Sequence, residues 1–107
     1  MIYLASPYSH NNPDVQQARY DLAQRYVANE IRKGETIFSP IVYAHPMAHE
    51  FNIGTDHLTW KKFNCAMIDR CDALHVLRIE GWLSSKGVQA EIAYAIAQQK
   101  DVRFVNL

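Results

Sequence analysis

The run Asp72–Leu107, DALHVLRIEGWLSSKGVQAEIAYAIAQQKDVRFVNL, decides how this chain folds. Ala73-Leu74-His75-Val76-Leu77 is short and almost wholly apolar, which predicts a strand within Asp72–Ile79. Glu80–Ser85 has the glycine and serine punctuation of a loop. From Ser85 onward Val88, Ile92, Ala95 and Ile96 recur at helical spacing. Asp101–Leu107, with Val102, Phe104 and Val105, predicts a last strand. A strand–helix–strand unit of this kind implies parallel strands joined by a right-handed crossover. One residue breaks the pattern. Glu91 falls within the apolar stripe of its helix, where a carboxylate destabilises the fold unless partners or a cleft receive it.

The same alternation extends toward the start of the chain. Met1–Ser6 is nearly all apolar and predicts a strand buried on both faces. Pro7–Asn12 reads as a loop. Asn12-Pro13 then places an N-cap and a first-turn proline before Val15, Ala18, Leu22, Ala23, Tyr26, Val27 and Ile31. Lys33-Gly34 closes that helix. Glu35–Ser39 predicts a second strand and Asp56–Arg70 a helix. Pro40–Thr55 reads as less regular, with a helical turn or two within Pro46–Phe51. The expected fold is α/β: one domain over residues 1–107, with a small doubly wound, Rossmann-like sheet of four or five mainly parallel strands flanked by helices. Ligands of such sheets sit beyond the carboxyl ends of the strands. Ser6–Asn12, Ser39–His49 and Glu80–Gly87 should therefore line one mouth.

Composition narrows the function. Among 107 residues, eleven basic and eleven acidic side chains cancel, which argues against a surface for polymeric nucleic acid. No apolar run approaches the roughly 20 residues that a membrane span requires, and no signal segment opens the chain. Cys65 and Cys71 are spaced for neither a disulfide framework nor a CxxC site. Reduced thiols in a cytoplasmic protein are the expectation.

The chemistry-bearing residues cluster after the strands. Ser84, Ser85 and Gly87 open the Glu91 helix, either as simple caps or as an anion seat using free backbone N–H groups. Glu91 lies about 9 Å along the axis from Ser85, and nearer in practice because side chains lean toward the N-terminus. Tyr3 is either a core aromatic or the partner of a buried carboxylate. Ser6, Pro7, Tyr8 and Ser9 form a loop without glycine-rich phosphate signatures, so neither a usual dinucleotide cofactor nor a P-loop is expected. His45 and His49 would share a helix face, but no third ligand is evident; His45 is read as a pocket wall or polar contact, and no metal is expected. His57 and His75 read as structural or exposed. Trp82 either stacks on a base or caps the core.

Ile2-Tyr3-Leu4-Ala5-Ser6-Pro7-Tyr8, Cys71-Asp72-Ala73-Leu74-His75-Val76-Leu77, Gly81-Trp82 and Ser85-Lys86-Gly87-Val88-Gln89-Ala90-Glu91-Ile92-Ala93 together resemble the nucleoside 2-deoxyribosyltransferase superfamily. Within it the chain looks most like small bacterial and phage members and the nucleotide N-glycoside hydrolases. The resemblance implies a glutamate nucleophile at Glu91, oriented by Tyr3, that attacks the anomeric carbon of a sugar. Serine rather than aspartate at Ser85 implies a nucleoside 5′-monophosphate over a free nucleoside, and hydrolysis over deoxyribosyl transfer. Two positions depart from the family. Asn64 stands where an aspartate is usual and can bond sugar or base without acting as an acid. Ser9 stands where the hydrolases carry a phosphate-gripping arginine. Asp69, five residues beyond Asn64, points roughly 140° away on an ideal helix. A homodimer or higher homo-oligomer is also implied, since the family's pocket is shared between subunits. The alternatives are a nucleotide-binding module without catalysis and a hydrolase that uses a metal on His45 and His49.

Overall fold

The computed structural model describes residues 1–107, apart from the side chain of His57. The expectation for His57 therefore lies outside the described residues. Strand β1 is Ile2–Ala5, helix α1 Pro13–Arg32, strand β2 Ile37–Phe38 and helix α2 Pro40–Phe51. Helix α3 is His57–Asp69, strand β3 Ala73–Leu77, helix α4 Lys86–Ala97 and strand β4 Asp101–Val105. The four strands form one parallel sheet in the order β2-β1-β3-β4. The chain steps outward from β1 to β2, then crosses back over β1 to reach β3. Strand order thus reverses between β1 and β3, and a crevice at the carboxyl ends of those two strands follows.

Alternation along the strands sorts the core into two layers. Tyr3 and Ala5 of β1, with Leu74 and Val76 of β3, pack with Ile68 of α3 and with Val88 and Ala95 of α4. Leu4 and Leu77 point the other way and pack with Tyr26 of α1 and with Ile79. Helices cover both faces, as the doubly wound reading requires. Tyr3, Leu4, Leu74, Val76 and Leu77 are fully buried, and each large side chain removed from water contributes about 1.5–3 kcal/mol. Ile31 and Ile96, read from spacing as stripe residues, face outward on the last turns of α1 and α4. The buried stripe of α4 is Val88, Glu91 and Ala95, flanked by half-buried Ile92.

The helix ends carry the caps their sequences call for. Asn12 Oδ1 accepts from the Asp14 amide at 2.9 Å, with Pro13 in the first turn. Asp56 caps α3 through the Thr59 amide at 2.8 Å. Pro40–Phe51 corrects the expectation of an irregular segment. It is a continuous helix, begun by Ser39, whose Oγ accepts from the Val42 amide at 3.1 Å, and ended by Asn52 in the left-handed conformation at φ 55°. Pro46 lies inside it and removes one backbone donor. That proline disguises the helix in the sequence. The Ser-Pro start and packing against α1 sustain it.

Candidate active site

A cleft of about 640 Å³ opens at the carboxyl end of the sheet, where the strand order reverses. The β1–α1 segment supplies Ser6, Tyr8 and Ser9 to its wall. Helix α2 supplies Ile41, Ala44, His45 and Ala48, and α3 supplies Trp60 and Asn64. The β3–α4 turn and the start of α4 supply Gly81, Ser84, Ser85 and Gly87, with Glu91 deeper along the same helix. Segments from all three expected mouth regions meet here.

Glu91 is 7 % exposed, and Tyr3, behind it in β1, is wholly buried. The Tyr3 hydroxyl donates to Glu91 Oε2. Burial pushes the Glu91 carboxyl up to about 7, and the Tyr3 hydrogen bond acts in the opposite direction by favouring the carboxylate. Burial, and then the neighbouring Glu91 charge, hold the Tyr3 phenol well above its ordinary value, so it stays a donor. The pair juxtaposes a carboxylate near its titration point and a fixed donor, with the cleft on the carboxylate's open side. A nucleophile or a general acid–base group is arranged in this way.

Helix α4 starts cleanly at the cleft. Ser85 is its N-cap, with Oγ accepting from the Val88 amide at 3.2 Å. Ser84 Oγ donates to the Gly81 carbonyl at 3.3 Å. Capping leaves the Ser85 hydroxyl proton free to donate into the cleft. Ser6 and Asn64 are 5 % and 8 % exposed, and neither Ser6 Oγ nor Asn64 Oδ1 has a partner among the described residues. Two buried polar atoms without partners in one cleft mark positions where a ligand would make good a desolvation loss.

His45 sits in a network on the opposite wall. The Tyr8 hydroxyl bonds its Nδ1, Gln17 Oε1 lies 3.1 Å from its Nε2, and its ring stacks on Tyr20 at 4.1 Å. A neutral imidazole with the proton on Nε2 satisfies both contacts. Burial lowers the His45 pKa, with His49 next in effect, and so favours that neutral form. The two histidines share a face of α2 with ring centroids 4.3 Å apart. Among the described residues they are not part of any cluster of three metal-ligating side chains.

Two expected contact residues stand elsewhere. Pro7 is fully buried and does not line the cleft. Trp82 turns away toward Phe104 of β4, with ring centroids 5.7 Å apart, because burial against the edge strand is available to it there. It borders a separate shallow hollow with Arg78 and Leu83. Asp69 is likewise engaged outside the cleft, accepting from the Tyr94 hydroxyl at 2.7 Å. Ser9 donates to the Thr55 carbonyl at 2.9 Å. Cys65 and Cys71 are free thiols, and His75 is half-buried in β3.

Arg19 was not anticipated. It projects from α1 into the cleft wall, where Nη1 donates to the Ser9 carbonyl at 3.0 Å. A sequence signal existed: Val15, Arg19, Leu22, Ala23 and Tyr26 are spaced i, i+4, i+7, i+8, i+11, so the arginine interrupts an apolar stripe as Glu91 does. Gly81 makes room for it. At φ +93° only glycine is comfortable, and a Cβ there would overlap the Arg19 guanidinium. Gly81→Ala is expected to cost about 1–2 kcal/mol, from left-handed backbone and a displaced side chain together. Urea denaturation would measure it, and an unchanged midpoint would show that the turn relaxes freely.

Fold and site define an α/β protein with a buried carboxyl–phenol pair at the switch point of a small parallel sheet. The chain belongs to the family described as "Domain of unknown function (DUF1937)", which matches residues 1–106. No curated protein matches it. No helix among the described residues is long and apolar enough to cross a membrane.

Proposed function

We propose that this protein hydrolyses the base–sugar bond of a nucleoside 5′-monophosphate, with Glu91 as nucleophile. The observation that carries this reading is the buried Tyr3–Glu91 pair facing a cleft of about 640 Å³ at the sheet's switch point. A Glu91 oxygen bonds to the anomeric carbon as the carbon–nitrogen bond breaks. The base departs with the electron pair of that bond and takes up a proton. Water then attacks the same carbon and loses a proton, and Glu91 leaves as the carboxylate. Tyr3 holds the carboxylate in line. Ser85 and Gly87, at the start of α4, lie where a phosphate would meet free N–H groups. Ile41, Ala44 and Ala48, with Trp60, offer an apolar wall of the kind a base requires, and Asn64 offers an amide to sugar or base. Deoxyribosyl transfer would follow the same first step, with a second base in place of water.

The test is release of free base from a panel of ribo- and deoxyribonucleoside monophosphates. Wild type should release base, and Glu91→Ala should lose at least about a thousandfold, as expected when a covalent nucleophile is removed. Release unchanged in the variant, or absent from every nucleotide with wild type, would sink the reading.

Asn64 favours a second reading, a nucleotide-binding module without turnover, because an amide cannot supply the leaving base with a proton. In that case nucleotides raise the melting temperature and no base appears. We further propose a cytoplasmic protein, on its two unpaired cysteines, and a homo-oligomer, on the resemblance to proteins whose pockets are shared between subunits. Sedimentation would test the assembly.

A further inference from the structure

We infer that Arg19 selects phosphate-bearing ligands, by presenting from α1, beside the start of α4, a guanidinium whose Nε–Nη2 edge has no acceptor among the described residues. The inference rests on the reading that a nucleotide fills the cleft, but not on cleavage of its base.

Three observations converge. Arg19 is half-buried in the cleft wall, and its only acceptors among the described residues are the carbonyls of Ser9 at 3.0 Å and Tyr8 at 3.5 Å, both through Nη1. Among the described residues Nη2 and Nε have no protein acceptor, and no carboxylate pairs with the group. A guanidinium with a free edge suits a bidentate oxyanion, which it binds more strongly and more directionally than a lysine can.

The guanidinium is also placed against the helix start. It lies over Gly81, whose carbonyl accepts from Ser84 Oγ, and Ser85 caps α4 one residue later. Arg19 and the α4 N-terminus therefore border the same stretch of cleft, and the charge and the backbone donors can reach one anion together. Independently, the Ser6 hydroxyl is buried, has no partner and lines this cleft, so a further donor awaits a ligand acceptor. The acids of the lining, Glu91 and Asp56, are engaged by Tyr3 and Thr59. Neither neutralises Arg19.

Binding of inorganic phosphate, 2-deoxyribose 5-phosphate and 2-deoxyribose would be measured by calorimetry and thermal shift. The proteins are wild type, Arg19→Lys and Arg19→Met. Wild type is expected to bind the two phosphates, and the phosphosugar at least about tenfold more tightly than the bare sugar. Arg19→Met should erase that preference, and Arg19→Lys should restore only part of it, since a point charge replaces a fork. An undiminished preference in a folded Arg19→Met protein would overturn the inference, as would equal affinity of wild type for phosphosugar and sugar. If Arg19→Met does not fold, Arg19→Lys carries the test, and an unaltered preference there counts against a bidentate contact. Phosphate selectivity without base release would retain this role for Arg19 and remove the hydrolase reading.

Discussion

Glu91→Gln is expected to make the protein more stable above neutral pH while abolishing base release. The Glu91 carboxyl rises from an ordinary 4.5 to about 7 in the folded protein, chiefly through burial. Between those values the folded state holds a proton that the unfolded state has released. Stability therefore falls as pH rises through this window. Below about 4.5 the residue imposes no penalty, and above about 7 it imposes the whole of it. The difference between the two values corresponds to about 3 kcal/mol. Glutamine has no proton to lose, and its carbonyl can still accept from the Tyr3 hydroxyl. Urea titrations of both proteins should coincide near pH 4, diverge from pH 5 to 7, and stay apart by about 3 kcal/mol at pH 8. A difference that is flat in pH would show that the carboxyl is not raised. Activity should report the same group from the other side. A nucleophile must be ionised, so wild-type turnover should climb with pH, reach half its maximum near 7 and level off about one unit higher.

Asn64→Asp is expected to increase base release at least tenfold, a modest part of the roughly 10²–10⁴ a positioned general acid supplies. Asn64 lines the cleft, is buried, and has Oδ1 without a partner. An aspartate there would share the low-dielectric cleft with Glu91. Two carboxyls in such a site do not both ionise readily, so one keeps its proton near neutrality and can pass it to the leaving base. The substituted protein should lose stability above neutral pH, where both groups are driven to ionise. A rate profile that turns bell-shaped would identify the new acid. Unchanged turnover in a folded Asn64→Asp protein would mean that proton supply does not limit the reaction. A wild type that binds nucleotides but turns over only as Asn64→Asp would establish the binding-module reading.

The legible parts of this protein are those where local and long-range preferences agree. Asn12-Pro13, Ser85 and Asp56 start helices in the sequence and in the structure, because their capping bonds are local. The apolar runs at Ile2–Ala5 and Ala73–Leu77 became the two central strands, because a strand buried on both faces has no polar period to confuse it. Glu91 was visible for the complementary reason, a charge set among residues that must be buried. Arg19 carries the same signal more faintly, because a long basic side chain on a helix ordinarily reaches water. Helix α2 is obscured by Pro46, whose local cost is offset by the Ser39-Pro40 start and by packing on α1.

The order of strand and helix signals along the chain by itself determined an α/β sheet with loops gathered at one end. It also marked Ser85 and Gly87 as residues of that end, with Glu91 farther along the same helix, whereas Asn64 stood out only through the family resemblance. Hydrophobic period and capping are written within a few residues of each other, so no contact across the molecule is needed to read them. Only the tertiary structure decided which side chains meet. It set the Tyr3 hydroxyl, 88 positions away, on Glu91, buried Pro7, turned Trp82 toward Phe104, and brought Arg19 over Gly81. Those outcomes depend on strand order and on competition for buried surface, which involve residues far apart in the chain.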